Sequence, residues 1–143
     1  MTPREYLECP ENLRREIRRK QERIDSLRML ASRLTAVLEE NRVRSSPDPT
    51  RMQALLAEAD AQEREMHLLE DALVEAMVDT TLYISGLPDH LLFQVLECRY
   101  VSGWGWNETA YRLGYNRGWI HKLHLRALSL LPPPPEVPED APL

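Results

Sequence analysis

A chain of 143 residues with a net charge of −5 fits one domain of ordinary size, or a small domain with an extended helical element, and excludes a large multidomain enzyme. A hydrophobic fraction of 43% beside 29% charged residues excludes a wholly disordered chain and leaves a helix-rich soluble protein as the expectation. Two cysteines, Cys9 and Cys98, are too few for a disulfide framework and lack zinc-site spacing, so both read as free thiols in a reducing compartment.

The acidic total hides a segregated charge. Residues 11–44 hold ten basic and six acidic side chains, 48–79 hold two and nine, and 97–131 hold five and two. The opening MTPREYLECPENLRREIRR has no apolar run of secretory length, and no later run approaches the roughly 20 apolar residues of a membrane span. The expectation is a cytoplasmic protein with no membrane partner.

Leu13, Ile17, Ile24, Leu27, Ala31, Leu34 and Leu38 recur at steps of three and four, with Lys20 as the one break, which predicts a long amphipathic helix. The stretch VRSSPDPT reads as a turn, with Asp48 or Thr50 able to cap a second helix. In that helix Met52, Leu55, Ala59, Met66, Leu69, Leu73, Ala76 and Tyr83 form another stripe. Two such helices joined by a short linker fold back most simply as an antiparallel hairpin, or coiled coil, over 1–85. Opposite helix charges would choose the orientation, while the apolar seam supplies the stability. The basic run RREIRRK reads first as a solvated or partner-facing surface and second as a DNA contact.

Gly86 and Pro88 mark a boundary, and a second domain is expected over 86–131. Its first helix would carry Leu91, Leu92, Val95 and Leu96 inward and stop at Ser102 and Gly103, with His90 in the first turn. A short helix from about Trp106 to Leu113 and a longer one from about Arg117 to Leu131 would follow. The tail at 132–143, PPPPEVPEDAPL, cannot continue a helix and is expected to be disordered and acidic.

The motif lies in RLGYNRGW. Gly114 can take the left-handed conformation that ends a helix, Tyr115 can point inward, and Asn116 can cap the next helix. Ala110 is small where two helices must approach. A tight turn between two helices matches helix-turn-helix proteins, whose second helix enters the major groove by its N-terminal end. Ile120, Leu123 and Ala127 would face inward, leaving Arg117, Gly118, His121 and Lys122 outward for base or phosphate contacts. Arg112 and Arg126 would serve phosphates from the flanks.

Competing roles for these residues are weaker. His121 and His124 stand one turn apart, but no further ligand sits at a matching spacing, so no metal and no cofactor are expected. His124 is expected at the domain surface or against the first helix. Trp106 should be core, whereas Trp104 and Trp119 are open between packing and base stacking. No nucleophile with its base, paired carboxylates or phosphate-cradling loop is present in the sequence, so an enzyme is not expected.

Residues 91–128, LLFQVLECRYVSGWGWNETAYRLGYNRGWIHKLHLRAL, resemble the C-terminal DNA-binding region 4 of sigma-70-type RNA polymerase sigma factors. The resemblance rests on Arg99, Tyr100, Trp106, Glu108, Ala110, Leu113, Gly114, Tyr115, Asn116, Ile120, Leu123, His124, Ala127 and Leu128. The whole layout is similar to short sigma-like phage and prophage proteins of Gram-positive bacteria. Thr109 replaces the usual apolar residue of Glu-Ile-Ala, and Asn116 replaces a serine cap.

The resemblance implies an all-α, sequence-specific duplex DNA-binding protein in phage or prophage transcription regulation, in the cytoplasm of a bacterial host. RNA polymerase would be a candidate partner, and the N-terminal helices a candidate surface for a homodimer or oligomer. A chain of this length has no room for a promoter-melting region, so it would recruit or regulate polymerase. The alternatives are a terminase small subunit in phage DNA packaging and a structural or protein-binding helical module.

Overall fold

The computed structural model describes residues 1–41 and 49–136, and every regular element among them is a helix. Of the turn expected over VRSSPDPT, residues 43–48 with the candidate cap Asp48 lie outside the described residues, as does the tail from 137 onward. No helix among the described residues is long and apolar enough to cross a membrane.

Helix α1 (Pro3–Leu7) starts with a capping box: Thr2 Oγ1 accepts from the Glu5 amide at 3.2 Å and Glu5 Oε2 accepts from the Thr2 amide at 3.2 Å. Pro3, at the first helical position, has no amide to leave unsatisfied. Helix α2 (Cys9–Glu40) follows after a single residue, so the first long helix starts earlier than its apolar stripe predicts. Helix α3 (Pro49–Ile84) already includes Thr50, which is therefore a helical residue and not the cap. Proline at the start of α3 suits a first turn whose amides have no partner within the helix.

Two compact units divide the chain: Met1–Arg14 with Ala72–Leu143, and Arg15–Asp71. This division differs from the expected boundary at residue 85. The reason is apolar. Leu7 of α1 and Ile84 of α3, both fully buried, belong to the same core as Leu92, Leu96, Ile120 and Ala127. Tyr6 meets Tyr83 edge to face with centroids 4.9 Å apart, and Tyr83 donates from its hydroxyl to the Pro132 carbonyl at 2.5 Å.

In the Arg15–Asp71 unit, Ile24, Leu27, Ala31, Ala59 and Met66 are buried. Thr35 contacts Met52, Arg28 pairs with Glu63 at 2.8 Å, and Lys20 pairs with Glu65 at 2.6 Å, so α2 and α3 run antiparallel here. Lys20, the break in the apolar stripe, lies at the edge of the seam and also donates to Gln62 at 3.1 Å. Half-exposed pairs of this kind contribute about 0 to 1 kcal/mol each, so the buried side chains hold the unit together.

In the other unit, Asp89 caps α4 (His90–Leu96) by accepting from the Leu91 amide at 2.9 Å. A π-helical turn (Glu97–Val101) continues it, where the sequence predicts unbroken α-helix. The wider turn ends at Gly103 with φ +75°, and two guanidinium groups satisfy carbonyls there. Arg14 donates to Val101 and Arg99 donates to Trp104 at 2.6 Å. Helix α6 (Arg117–Leu130) packs against both α4 and α5 (Trp106–Leu113).

Candidate nucleic-acid interface

The link between α5 and α6 has Gly114 and Asn116 in their predicted roles. Gly114 has φ 77° and ψ 29°, and the amides of Gly114 and Tyr115 both donate to the Ala110 carbonyl at 3.0 Å, closing α5 in a left-handed cap. Asn116 is extended, and its Oδ1 accepts from the Trp119 amide at 2.8 Å, opening α6. Ala110, 6% exposed, belongs to the buried core that α5 shares with α6.

Helical periodicity then sorts α6. Ile120, Leu123, His124 and Ala127 are buried, and the opposite stripe is Gly118, Lys122, Leu125 and Ser129, all exposed. Trp119 and Arg126 flank that stripe on one side, Arg117 and His121 on the other. Helix α6 contains no acidic residue, and its cations Arg117, Lys122 and Arg126 are exposed.

The sequence reading needs correction at three side chains. His121 does not stand free on the outward face: its ring lies 4.2 Å from the Trp106 centroid, and Arg117 Nε donates to its Nε2 at 3.4 Å. Tyr115 does not point inward but is 43% exposed. His124 is not at the surface: it is buried, 2.6 Å from the Tyr100 hydroxyl and edge-on to Trp106 at 4.8 Å. Its contact with Tyr100 agrees with the other expectation, a position against the first helix of this part.

Burial lowers the His124 pKa to about 4, with the positive charges of Arg4, Arg99 and His121 adding to the effect. The ring is therefore neutral at neutral pH. Burial likewise raises the Tyr100 hydroxyl and the Cys98 thiol above their ordinary values.

Trp106 is partly buried against the core, with the Arg99 guanidinium 4.2 Å over its ring. Trp104 receives Arg112 at 3.9 Å, and Arg112 also pairs with Glu108 at 2.6 Å. Arg112 thus has two local partners, unlike Lys122 and Arg126. Trp119 is 45% exposed.

Residues the sequence reading left out of the site are Tyr111 on α5 and Leu125 on α6, 85% and 63% exposed. Leu125 could have been found from its spacing, since it lies seven residues after Gly118 and three after Lys122 on one helical face. No group of three or more His, Cys, Asp or Glu side chains converges among the described residues. What the surface offers is hydrogen-bond donors, fixed positive charge and exposed aromatic rings. Neither a protein-family model, nor a curated protein, nor a solved structure matches the chain.

Proposed function

We propose that this protein binds duplex DNA through the exposed face of α6, as a helix-turn-helix regulator of phage or prophage transcription with a sigma region 4-like C-terminal part. The observation that carries the reading is an uncovered helix face with three exposed cations and no carboxylate, opened by Asn116 after a left-handed glycine turn. Phosphates are attracted by such a face, and the free amides of the first turn add to it.

Lys122 and Gly118 take the centre of the face, where base edges in the major groove would lie, with Trp119 and Leu125 supplying apolar contact. Arg126 and Arg117 reach phosphates at the two margins, and Arg112, already engaged by Glu108, contributes less. RNA polymerase is the proposed partner in recruitment.

The test is selection of bound fragments from a phage-bearing bacterial genome at physiological salt, followed by mobility-shift titration of the enriched site. Enrichment of one sequence over bulk DNA, by about a thousandfold or more in affinity, is the expected result. Equal affinity for all fragments, or none for any, rejects sequence-specific binding.

A further inference from the structure

We propose that residues 136–140, Glu-Val-Pro-Glu-Asp, dock on the exposed stripe of α6 in the same chain and compete with duplex DNA for it. The inference rests on the DNA-binding reading of that stripe and adds its regulation.

Charge singles out both partners. Among the described residues, α6 is the one helix that carries Lys or Arg without Asp or Glu; α1, α2, α3, α5 and the π-helical turn carry both signs, and α4 carries neither. Arg117, Lys122 and Arg126 are exposed and make no ion pair among the described residues. After Arg126 every charged side chain in the sequence is acidic: Glu136, Glu139 and Asp140. Carboxylates and DNA phosphates would therefore seek the same three cations, and one excludes the other.

The chain can reach. Leu131 is buried in the core and the Pro132 carbonyl accepts from the Tyr83 hydroxyl at 2.5 Å, so the tail leaves from a fixed point at the end of α6. At ~1.5 Å per residue, Arg126 lies about 8 Å and Lys122 about 14 Å back along the helix from Leu131. At ~3.1 Å per residue, an extended proline-rich chain reaches about 16 Å by Glu136 and about 28 Å by Asp140. Each span exceeds the distance it must cover, which leaves length for the chain to turn back. In the docked form the segment is extended, because Pro138 at its centre does not suit a helix interior. Its carboxylates would meet Arg126 and Lys122, with Val137 and Pro138 over Leu125 and Trp119, which are 63% and 45% exposed. Exposed ion pairs are weak one by one, but a tethered segment meets its site at an effective concentration of about millimolar, so a weak intrinsic affinity suffices.

Nuclear magnetic resonance of the full chain without DNA tests the contact, against a variant with Glu136→Gln, Glu139→Gln and Asp140→Asn. The amides of Lys122, Leu125 and Arg126 and the indole of Trp119 should shift between the two at about 50 mM salt and converge at about 1 M, where charges are screened within about 3 Å. Dilution by about tenfold should change nothing, because the contact lies within one chain. In fluorescence anisotropy with a random-sequence duplex at about 50 mM salt, the variant should bind about tenfold more tightly, as expected for a stripe occupied about nine times in ten. Asp71→Asn with Glu75→Gln and Asp79→Asn removes the same charge from α3 and gauges general attraction; its gain should stay below about twofold.

Shifts confined to the tail, centred on α2 or dependent on dilution overturn the proposal, as does an equal gain from the two triple variants. If duplex binding persists in those cases, the DNA reading stands without this regulation. Absence of duplex binding by native and neutral-tail forms alike rejects the DNA reading, and the competition with it, whatever the spectra show.

Discussion

The Tyr100 hydroxyl lies 2.6 Å from Nε2 of His124, and this buried bond fastens the π-helical turn to the middle of α6. Tyr100 is 4% exposed and His124 3%, so water cannot replace either partner. Tyr100→Phe keeps the ring and leaves the imidazole nitrogen without its partner. We expect a loss of about 1 to 3 kcal/mol in urea unfolding at pH 7.5. An unchanged midpoint would show that the bond adds nothing to stability.

Acid should act on the same pair. A folded pKa near 4 against an ordinary 6.5 means that the unfolded chain takes up the His124 proton first. The stability tied to the neutral ring is therefore complete above pH 6.5, falls as pH drops from 6.5 toward 4, and is constant below. The full difference is on the order of 3 kcal/mol. Unfolding free energies at pH 7.5, 6 and 5 should decline in the native sequence, and His124→Gln should flatten that decline. Equal slopes in both proteins would contradict the assignment.

Gly103 is held by two constraints at once. Its φ of +75° disfavours any side chain, and a Cβ there would come within 2.7 Å of Arg14 Nη1. Gly114 shares the left-handed conformation, at φ +77°, but its surroundings are open. Gly114→Ala should cost about 1 kcal/mol, and Gly103→Ala clearly more, because Arg14 must also leave the Val101 carbonyl. Thermal unfolding of the two variants gives the order, and equal losses would remove Arg14 from the account.

The helix ends near the motif were readable because their chemistry is local. Asp89, Gly114 and Asn116 each do what an isolated dipeptide would favour, and the predicted bounds of α5 and α6 agree with those found to within a residue. Tertiary relations were harder. Leu7 is fully buried with Ile84 and Ile120, and nothing in its sequence neighbours signals so distant a partner. The π-helical turn has no sequence mark, because Glu97–Val101 follows α4 without a glycine or proline. Helical period alone predicts an outward His121. It could not foresee that the Trp106 ring would fill the space beside it. The Thr50 error arose from treating a good capping residue as a cap when Pro49 can itself begin the helix.

Gly118 separates folding from binding. It sits in the first turn of α6 with an ordinary helical backbone, and a Cβ there would meet only Asn116 Oδ1 at 3.5 Å. Gly118→Ala should therefore stabilise the protein by about 0.5 to 1 kcal/mol. If DNA backbone or a base edge approaches α6 at this point, the same methyl weakens duplex binding while stability rises. Calorimetric unfolding and a shift assay on one preparation measure both. Raised stability with undiminished affinity would move the DNA contact away from Gly118.

Lys122 and Arg126 should fail in different ways. Lys122 occupies the centre of the exposed stripe and Arg126 its margin, and neither has a carboxylate partner among the described residues. Lys122→Ala is expected to cost about 1 to 3 kcal/mol on the selected site and little on unrelated duplex. Arg126→Ala should weaken both alike and reduce the slope of log affinity against log salt by about one unit. Titrations from about 50 to 200 mM salt on specific and unrelated duplexes distinguish the two. If both substitutions lower both affinities equally, α6 supplies only phosphate contacts, and base reading must come from another part of the protein.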